Sequence, residues 1–318
     1  MDKNTPLIPI SGHVILVLLL SLLFGGYATA ASNATSSTIN NSADTSTLFT
    51  YRAPESDRDT RLLYEIAVLR LALEKTAKEY GPFRLEPTPR INVARCLQSI
   101  QQHSFTNFFC SLGYNENNEI SPDITYIRFP IDMGVLSYRT CFTNAKTAEK
   151  LKNITTLDQL RELTHGQGRD WADVAVLRQN GFKVMEVDQY EALFTMTAAG
   201  RFDLFCRGIN EVKEEYDLRH TIPGLVYDQN LLIYYSMPLF LYTNKSNTQA
   251  IERITKGLLK AYADGSLLAL WKSKHLPSAN FAKLNKRRLF RLENPFVKSI
   301  DFDYEKYNYK FLLPAPKK

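Results

Sequence analysis

The 318-residue chain has only four cysteines, five histidines and two tryptophans. No Cys-x-x-Cys pair occurs and no two histidines stand at ligand spacing, so neither a zinc centre nor a dithiol redox site is expected. A Gly-x-Ser-x-Gly elbow, a Walker loop and the six-residue Rossmann glycine spacing are absent as well. An enzyme of the ordinary nucleophilic, phosphoryl-transfer or dinucleotide kinds is therefore not expected, and no metal or cofactor is called for. Long apolar runs are equally scarce. The run Val14 to Phe24 covers eleven residues, about half of the ~20 needed to span a hydrocarbon layer. Gly and Pro number 14 each beside 44% hydrophobic and 23% charged residues, a balance that excludes collagen-like, low-complexity and broadly disordered chains.

The short apolar run has a different use. Lys3 precedes it and Ala28-Thr29-Ala30 follows it, the three parts of a cleavable secretory signal over residues 1–30. The exported chain is expected to be soluble and periplasmic, and its four cysteines, Cys96, Cys110, Cys141 and Cys206, stand in a compartment where disulfides persist. Four cysteines allow three full pairings, and their spacing does not choose among them. The net charge of +6 is not spread evenly. Residues 283–318 hold ten Lys or Arg against four Asp or Glu, so the body from 31 to 282 is neutral and a nucleic-acid partner is not expected. Any acidic partner would meet the last 36 residues, a basic C-terminal tail that reads either as a strap across the body or as a contact for a partner or membrane surface.

Residues 31–46 are almost all Ser, Thr, Asn and Ala and read as a flexible leader. From Thr47 onward, strand and helix patterns alternate. A strand at Leu48 to Tyr51 precedes a helix from Thr60 to Tyr80, where Leu62, Leu63, Ile66, Leu69 and Leu73 recur at helical spacing before Gly81-Pro82. A strand at Phe83 to Glu86, a helix from Asn92 to His103 and a strand from Thr106 to Leu112 complete one α/β unit. A second unit starts with a strand at Arg161 to Thr164 and a glycine-rich loop, Gly166 to Trp171. It continues with a helix to Gln179, strand Phe182 to Val187, helix Tyr190 to Ala199 and strand Phe202 to Arg207. Extended stretches at Ile127 to Phe142 and Leu231 to Thr243 connect the two units, and helices at Thr248 to Tyr262 and Leu267 to Lys274 follow. Such alternation predicts α/β architecture with mostly parallel sheets flanked by helices.

Several local patterns resemble type 2 periplasmic solute-binding proteins of the family 3 class, which includes amino-acid receptors of ABC transporters. They are Tyr51 with its polar loop and the long helix ending in Tyr80-Gly81-Pro82; Phe129-Pro130-Ile131 with Gly134, Tyr138 and Arg139; Gly200-Arg201-Phe202-Asp203; and Gly257 to Ser266 with Leu270-Trp271. The block Gly166-Gln167-Gly168, Asp170-Trp171 and Arg207-Gly208 resembles a divergent bacterial branch of that class. The resemblance implies a two-lobed fold: lobe 1 from 47–127 plus 244–282, lobe 2 from 128–243 with the crossing strands, and a ligand held in the cleft. It implies a monomer that captures a small polar or anionic, amino-acid-like solute for an inner-membrane ABC permease. A sensory or accessory module serving a signalling protein is the alternative. In that topology a crossing strand lies beside the third strand of the second lobe, which makes Cys141 and Cys206 the expected disulfide.

Ligands of open parallel sheets bind beyond the carboxyl ends of the strands. The candidate contacts are therefore Arg52 and Glu55 after the first strand, Arg128 before the first crossing, Gln167, Gly168, Arg169 and Trp171 in the glycine-rich loop, and Arg207 after the last strand. Two glycines admit a close backbone approach, Asp170 would cap the next helix, and arginine offers a planar fork of donors to an anionic group. Arg207 has a plainer reading as an ion pair with Glu211 or Glu214. If it grips a ligand instead, its truncation weakens binding and leaves the melting temperature unchanged. The arginine that grips a ligand carboxylate in amino-acid receptors of the class has no counterpart in Asn115 to Pro122, and the acidic residue that receives the amino group is not evident near Arg207-Gly208, so an α-amino acid bound in the ordinary way is not expected.

Overall fold

The structure, a computed structural model, describes residues 45–116 and 121–311. The signal peptide, nearly all of the leader and the last seven residues lie outside the described residues.

Two sheets organise the chain. The first contains β1 (Thr47–Ala53), β2 (Phe83–Arg90), β3 (Phe108–Gly113), β4 (Ile124–Tyr126) and β11 (Leu239–Asn244) in the order β2-β1-β3-β11-β4. β1 runs parallel to both β2 and β3, while β11 is antiparallel to β3 and β4. The second contains β5 (Tyr138–Asn144), β6 (Thr164–Gly168), β7 (Lys183–Val187), β8 (Leu204–Gly208), β10 (Leu231–Tyr234) and β12 (Arg288–Arg291) in the order β12-β10-β5-β8-β6-β7, with β9 (Leu225–Tyr227) also paired to β5. β6 is parallel to β7 and β8, and β5 is antiparallel to β8.

Both faces of each sheet are covered, as the near-continuous apolar strands require. In β3, Phe109 joins the core on one side, and Phe108, Cys110 and Leu112 join the other. On the first side lie α1 (Leu63–Tyr80), α8 (Thr248–Ala263) and α9 (Ser266–Ala282); on the second lies α2 (Val93–Gln101). α1 buries Tyr64, Val68, Leu69, Ala72, Leu73 and Thr76, a stripe three and four residues apart. α8 crosses it closely because residue 257 is glycine: a Cβ there would sit 2.1 Å from the Ala72 carbonyl oxygen. The second sheet is covered by α3 (Ala145–Leu151), α4 (Leu157–Arg161), α5 (Ala172–Gln179), α6 (Tyr190–Ala198) and α7 (Val212–Arg219).

Two short segments cross between the sheets, and the chain passes a third time through α8 and α9 to reach β12. Residues 127–137 lead from β4 to β5, and residues 235–238 return from β10 to β11. Hydrogen bonds join the crossings: Tyr235 N donates to Ser137 O, Met237 N to Ser137 Oγ and Leu239 N to Asp132 Oδ1. The stretch Leu231 to Thr243, expected as one extended piece, is thus two strands in different sheets.

The glycine-rich block departs further from expectation. The strand does not span residues 161–164; α4 ends at Arg161, and the strand, β6, begins only at Thr164 and runs through the glycines to Gly168. Glycine inside a strand marks a close approach rather than a loop. A Cβ on Gly166 would lie 2.2 Å from the Phe202 ring, so the glycine makes room for that side chain.

Two disulfides are present. The expected Cys141–Cys206 bond joins directly opposed residues of β5 and β8, and Cys96–Cys110 ties α2 to β3. The basic segment after residue 283 is built into the fold. Arg287 is buried and donates to the Asp228 and Leu231 carbonyls and to the Tyr227 hydroxyl. β12 then extends the second sheet, and the chain returns over both crossings. Asn294 Nδ2 donates to Ser236 O, Tyr304 meets the Ser236 hydroxyl, and Tyr309 N donates to Met133 O.

Candidate ligand cleft

The carboxyl ends of β1 and β3 in one lobe face those of β6 and β8 in the other, which is where parallel strands deliver loops and unpaired backbone groups. Between them opens a cleft of about 740 Å3, its solvent-filled mouth included. The first lobe contributes Arg52 from β1, Arg61, Leu62 and Glu65 from the start of α1, Val93 from α2, and Ser111 to Gly113 from β3. From the second lobe come Asp170 to Asp173 at the start of α5, Arg207 near the end of β8, and Asn210 and Glu211 after it. Leu136, Arg139 and Leu239 close the floor at the crossings.

Four arginines meet here, and each has a carboxylate partner. Arg52 pairs with Glu55 at 2.5 Å and donates through Nε to the Ile91 carbonyl at 3.0 Å. Burial, with Arg61 nearby, lowers its pKa to about 10. Arg61 grips Asp59 with two nitrogens at 2.7 and 2.8 Å and reaches Glu55 at 3.0 Å. Although burial disfavours the Asp59 charge, this grip holds its carboxyl at about 2. Arg139 lies 2.8 Å from Asp173 and donates to the Tyr235 hydroxyl at 2.9 Å. Arg207 bridges Glu211 at 2.9 Å and Glu215 at 2.8 Å. Cation–π contacts order the set: the Arg207 guanidinium lies 4.8 Å from the Trp171 ring and that of Arg61 3.7 Å from the Tyr190 ring.

Two carboxyls behave differently. Glu65 carries a buried Oε2 with no hydrogen-bond partner, and burial together with Glu211 and Asp59 pushes its pKa up to about 8. Burial also raises Glu211, Arg207 opposing and Glu215 adding to the effect. Asn210 Oδ1 is likewise buried and unpartnered.

Among the candidates read from sequence, Arg52, Trp171 and Arg207 meet in the cleft. Glu55 stands behind them as the partner of Arg52 and Arg61. Gly168 lies under Trp171: a Cβ there would be 2.1 Å from the indole, so its absence lets the ring lie across the strand end. The structure does not bring the other three to the cleft. Gln167 is 0% exposed inside β6, its amide directed to the Cys206 carbonyl. Arg169 points to solvent and pairs with Asp188. Arg128 is about half exposed, pairing with Asp301 and stacking on Phe302. Asp170 does not cap α5; it adopts a left-handed backbone, φ 60°, and Trp171 takes the cap position without a side-chain hydrogen bond. Arg207 pairs with Glu211 and Glu215, where the sequence suggests Glu211 or Glu214. With Glu215 fully buried, truncation of Arg207 strands a charge, so an unchanged melting temperature is no longer the expectation.

Sequence reading passes over Arg61, Glu65, Arg139 and Glu211 as cleft residues. The spacing Asp59-x-Arg61 and the Glu211-x-x-x-Glu215 repeat just after Arg207 are usable signals, because both bring a carboxylate within one turn of a cation.

No protein-family model and no curated protein sequence matches the chain. Solved structures do. A periplasmic binding protein of Salmonella typhimurium with high arginine specificity superposes with a TM-score of 0.56 at 11% identity, over 72% of this chain and 100% of that one. The BvgS periplasmic VFT2 domain of Bordetella pertussis gives 0.53 at 15%, over 71% and 93%. The GluR0 ligand-binding core of Nostoc punctiforme, in complex with L-glutamate, gives 0.52 at 12%, over 72% and 98%. The chain thus has the two-lobed type 2 periplasmic-binding-protein fold that its sequence resembles.

Proposed function

We propose that this chain is an exported, periplasmic solute-binding protein that captures one small, polar, amino-acid-sized solute between its lobes and presents it to an ABC-type inner-membrane transporter. The carrying observation is the convergence of buried, ordered charged side chains from both lobes on one cleft at the carboxyl ends of the parallel strands. Such groups are held in advance for a ligand at little reorganisation cost. Arginine specificity and a bound L-glutamate in two proteins of the same fold support the size of the solute and leave its charge open. The two crossings are suited to hinge closure of one lobe on the other. Arg52, Trp171 and Arg207 line the proposed site, Arg139 and Asp173 set its floor, and the chain acts as a binder rather than a catalyst.

A thermal-shift screen of the exported protein against amino acids, organic acids, sugars and short peptides tests the proposal. At 100 times its dissociation constant a ligand adds about 2.7 kcal/mol, which raises the melting temperature by roughly 5 °C for a chain of this size. Stabilisation by no compound of any class would contradict solute binding. Stabilisation without permease and ATPase genes nearby, and with sensor genes instead, would favour the signalling alternative over transport.

A further inference from the structure

The cleft's hydrogen-bonding capacity is unbalanced. The guanidinium groups of Arg52, Arg61, Arg139 and Arg207 are each matched by carboxylates of this chain. Arg139 Nη2 lacks a well-formed hydrogen bond, yet it lies 2.8 Å from Asp173 Oδ1, so its charge is already neutralised. What remains unpartnered and buried on the wall is Glu65 Oε2 from one lobe and Asn210 Oδ1 from the other. A buried carboxyl oxygen without a donor carries a desolvation penalty that a donating ligand removes. Asn210 and Glu211 are shared with a second recess between the lobes, lined also by Arg61, Glu214, Lys274 and His275. There Glu214 Oε2 is unpartnered, and so is Nε2 of His275, which is only 4% exposed. Burial, with Lys274 beside it, holds that imidazole neutral, with a pKa of about 3; Lys274 lines this recess and not the cleft wall that carries Glu65.

Resting on the solute-binding reading above, we propose that the group anchoring the solute is a hydrogen-bond-donating cation, a primary ammonium or a guanidinium, seated between Glu65 of α1 and the Asn210-Glu211 corner. An anionic group placed there would meet two carboxyls and an amide oxygen, with the neighbouring guanidinium groups already paired. A cation supplies the donors that Glu65 and Asn210 lack and favours the ionised form of Glu65, which the empty cleft disfavours. The arginines on this reading are the frame that holds the carboxylates in place, and the stacked Trp171 is the apolar wall against which the solute's carbon chain lies.

Isothermal titration of the native protein with probes matched in length tests this: putrescine, cadaverine and agmatine as cations against the neutral butane-1,4-diol and pentane-1,5-diol, with succinate and glutarate as anions. The expected result is that at least one cationic probe binds at least tenfold more tightly than its neutral counterpart or either anion, and that Glu65→Gln weakens it at least tenfold while leaving the protein folded. Tighter binding of a neutral or anionic probe would overturn the cation assignment and leave solute binding standing. So would a cation held equally well by Glu65→Gln, which places it elsewhere. Binding of none of the probes also overturns the assignment, and the broad thermal screen then decides separately whether the cleft binds any solute.

Discussion

Replacing Glu65 by glutamine should make the empty protein more stable, and by an amount that depends on pH. The carboxyl titrates at about 8 in the folded protein against an ordinary 4.5, through burial first and the charges of Glu211 and Asp59 second, with Arg61 acting in the opposite direction. Between these two values the folded chain holds a proton that the unfolded chain has released, so stability falls as pH rises through that window. Each tenfold difference in proton affinity between the two states corresponds to about 1.36 kcal/mol. At pH 7 the penalty on the native protein therefore amounts to about 3 kcal/mol at most, and about 2 kcal/mol once partial exposure of the side chain is allowed for. Glutamine keeps the shape and removes the titration. The variant and the native protein should differ little at pH 5, and the variant should lead by about 2 kcal/mol near pH 7.5, or roughly 4 °C in melting temperature. Urea titrations of both proteins at several pH values measure this, because the contributions of Asp59, Arg61 and Glu211 largely cancel in the difference. A difference that stays constant from pH 5 to 8, or a native protein that gains on the variant as pH rises, would refute the reasoning.

Two further substitutions probe the frame. Arg207→Ala should destabilise the protein by about 3–5 kcal/mol, because it leaves the fully buried Glu215 without its cation; a loss below 1 kcal/mol in chemical denaturation would show that the pair is dispensable to the fold. Gly168→Ala should displace the Trp171 indole from its place at the strand end, lowering stability by about 1–3 kcal/mol and shifting the tryptophan emission. An unchanged emission spectrum would mean that the ring does not need the space.

The helices and most strands were legible because their apolar spacing reports directly on one buried face. α1, α6 and α8 begin and end close to where periodicity and the Gly-Pro and Asp-Gly breaks place them. Gly166-Gln167-Gly168 was not legible in the same way. Glycine reads as a loop signal locally, whereas here it makes room for Phe202 and Trp171, whose positions depend on the whole sheet. The cleft divides along the same line. That Arg52, Trp171 and Arg207 follow strand ends could be read from the pattern, and so they meet. That Arg169 turns away to Asp188 and Arg128 to Asp301 depends on contacts 19 and 173 residues apart in sequence. The larger change concerns charge. Arginines in the sequence suggested an anionic ligand, but a cation's role depends on whether the fold has already matched it, and in this cleft carboxylates of the chain itself have done so.

Emission from Trp171 offers the most direct test of a solute lodged between the lobes. The chain has two tryptophans; Trp271 is 0% exposed with its Nε1 bonded to the Asp132 carbonyl, whereas Trp171 lines the cleft. Titrating the protein with any solute that stabilises it thermally should produce a saturable change in emission, complete at one solute per chain and absent in Trp171→Phe. Thermal stabilisation with no change in Trp171 emission would place the solute outside the cleft and contradict the proposed site.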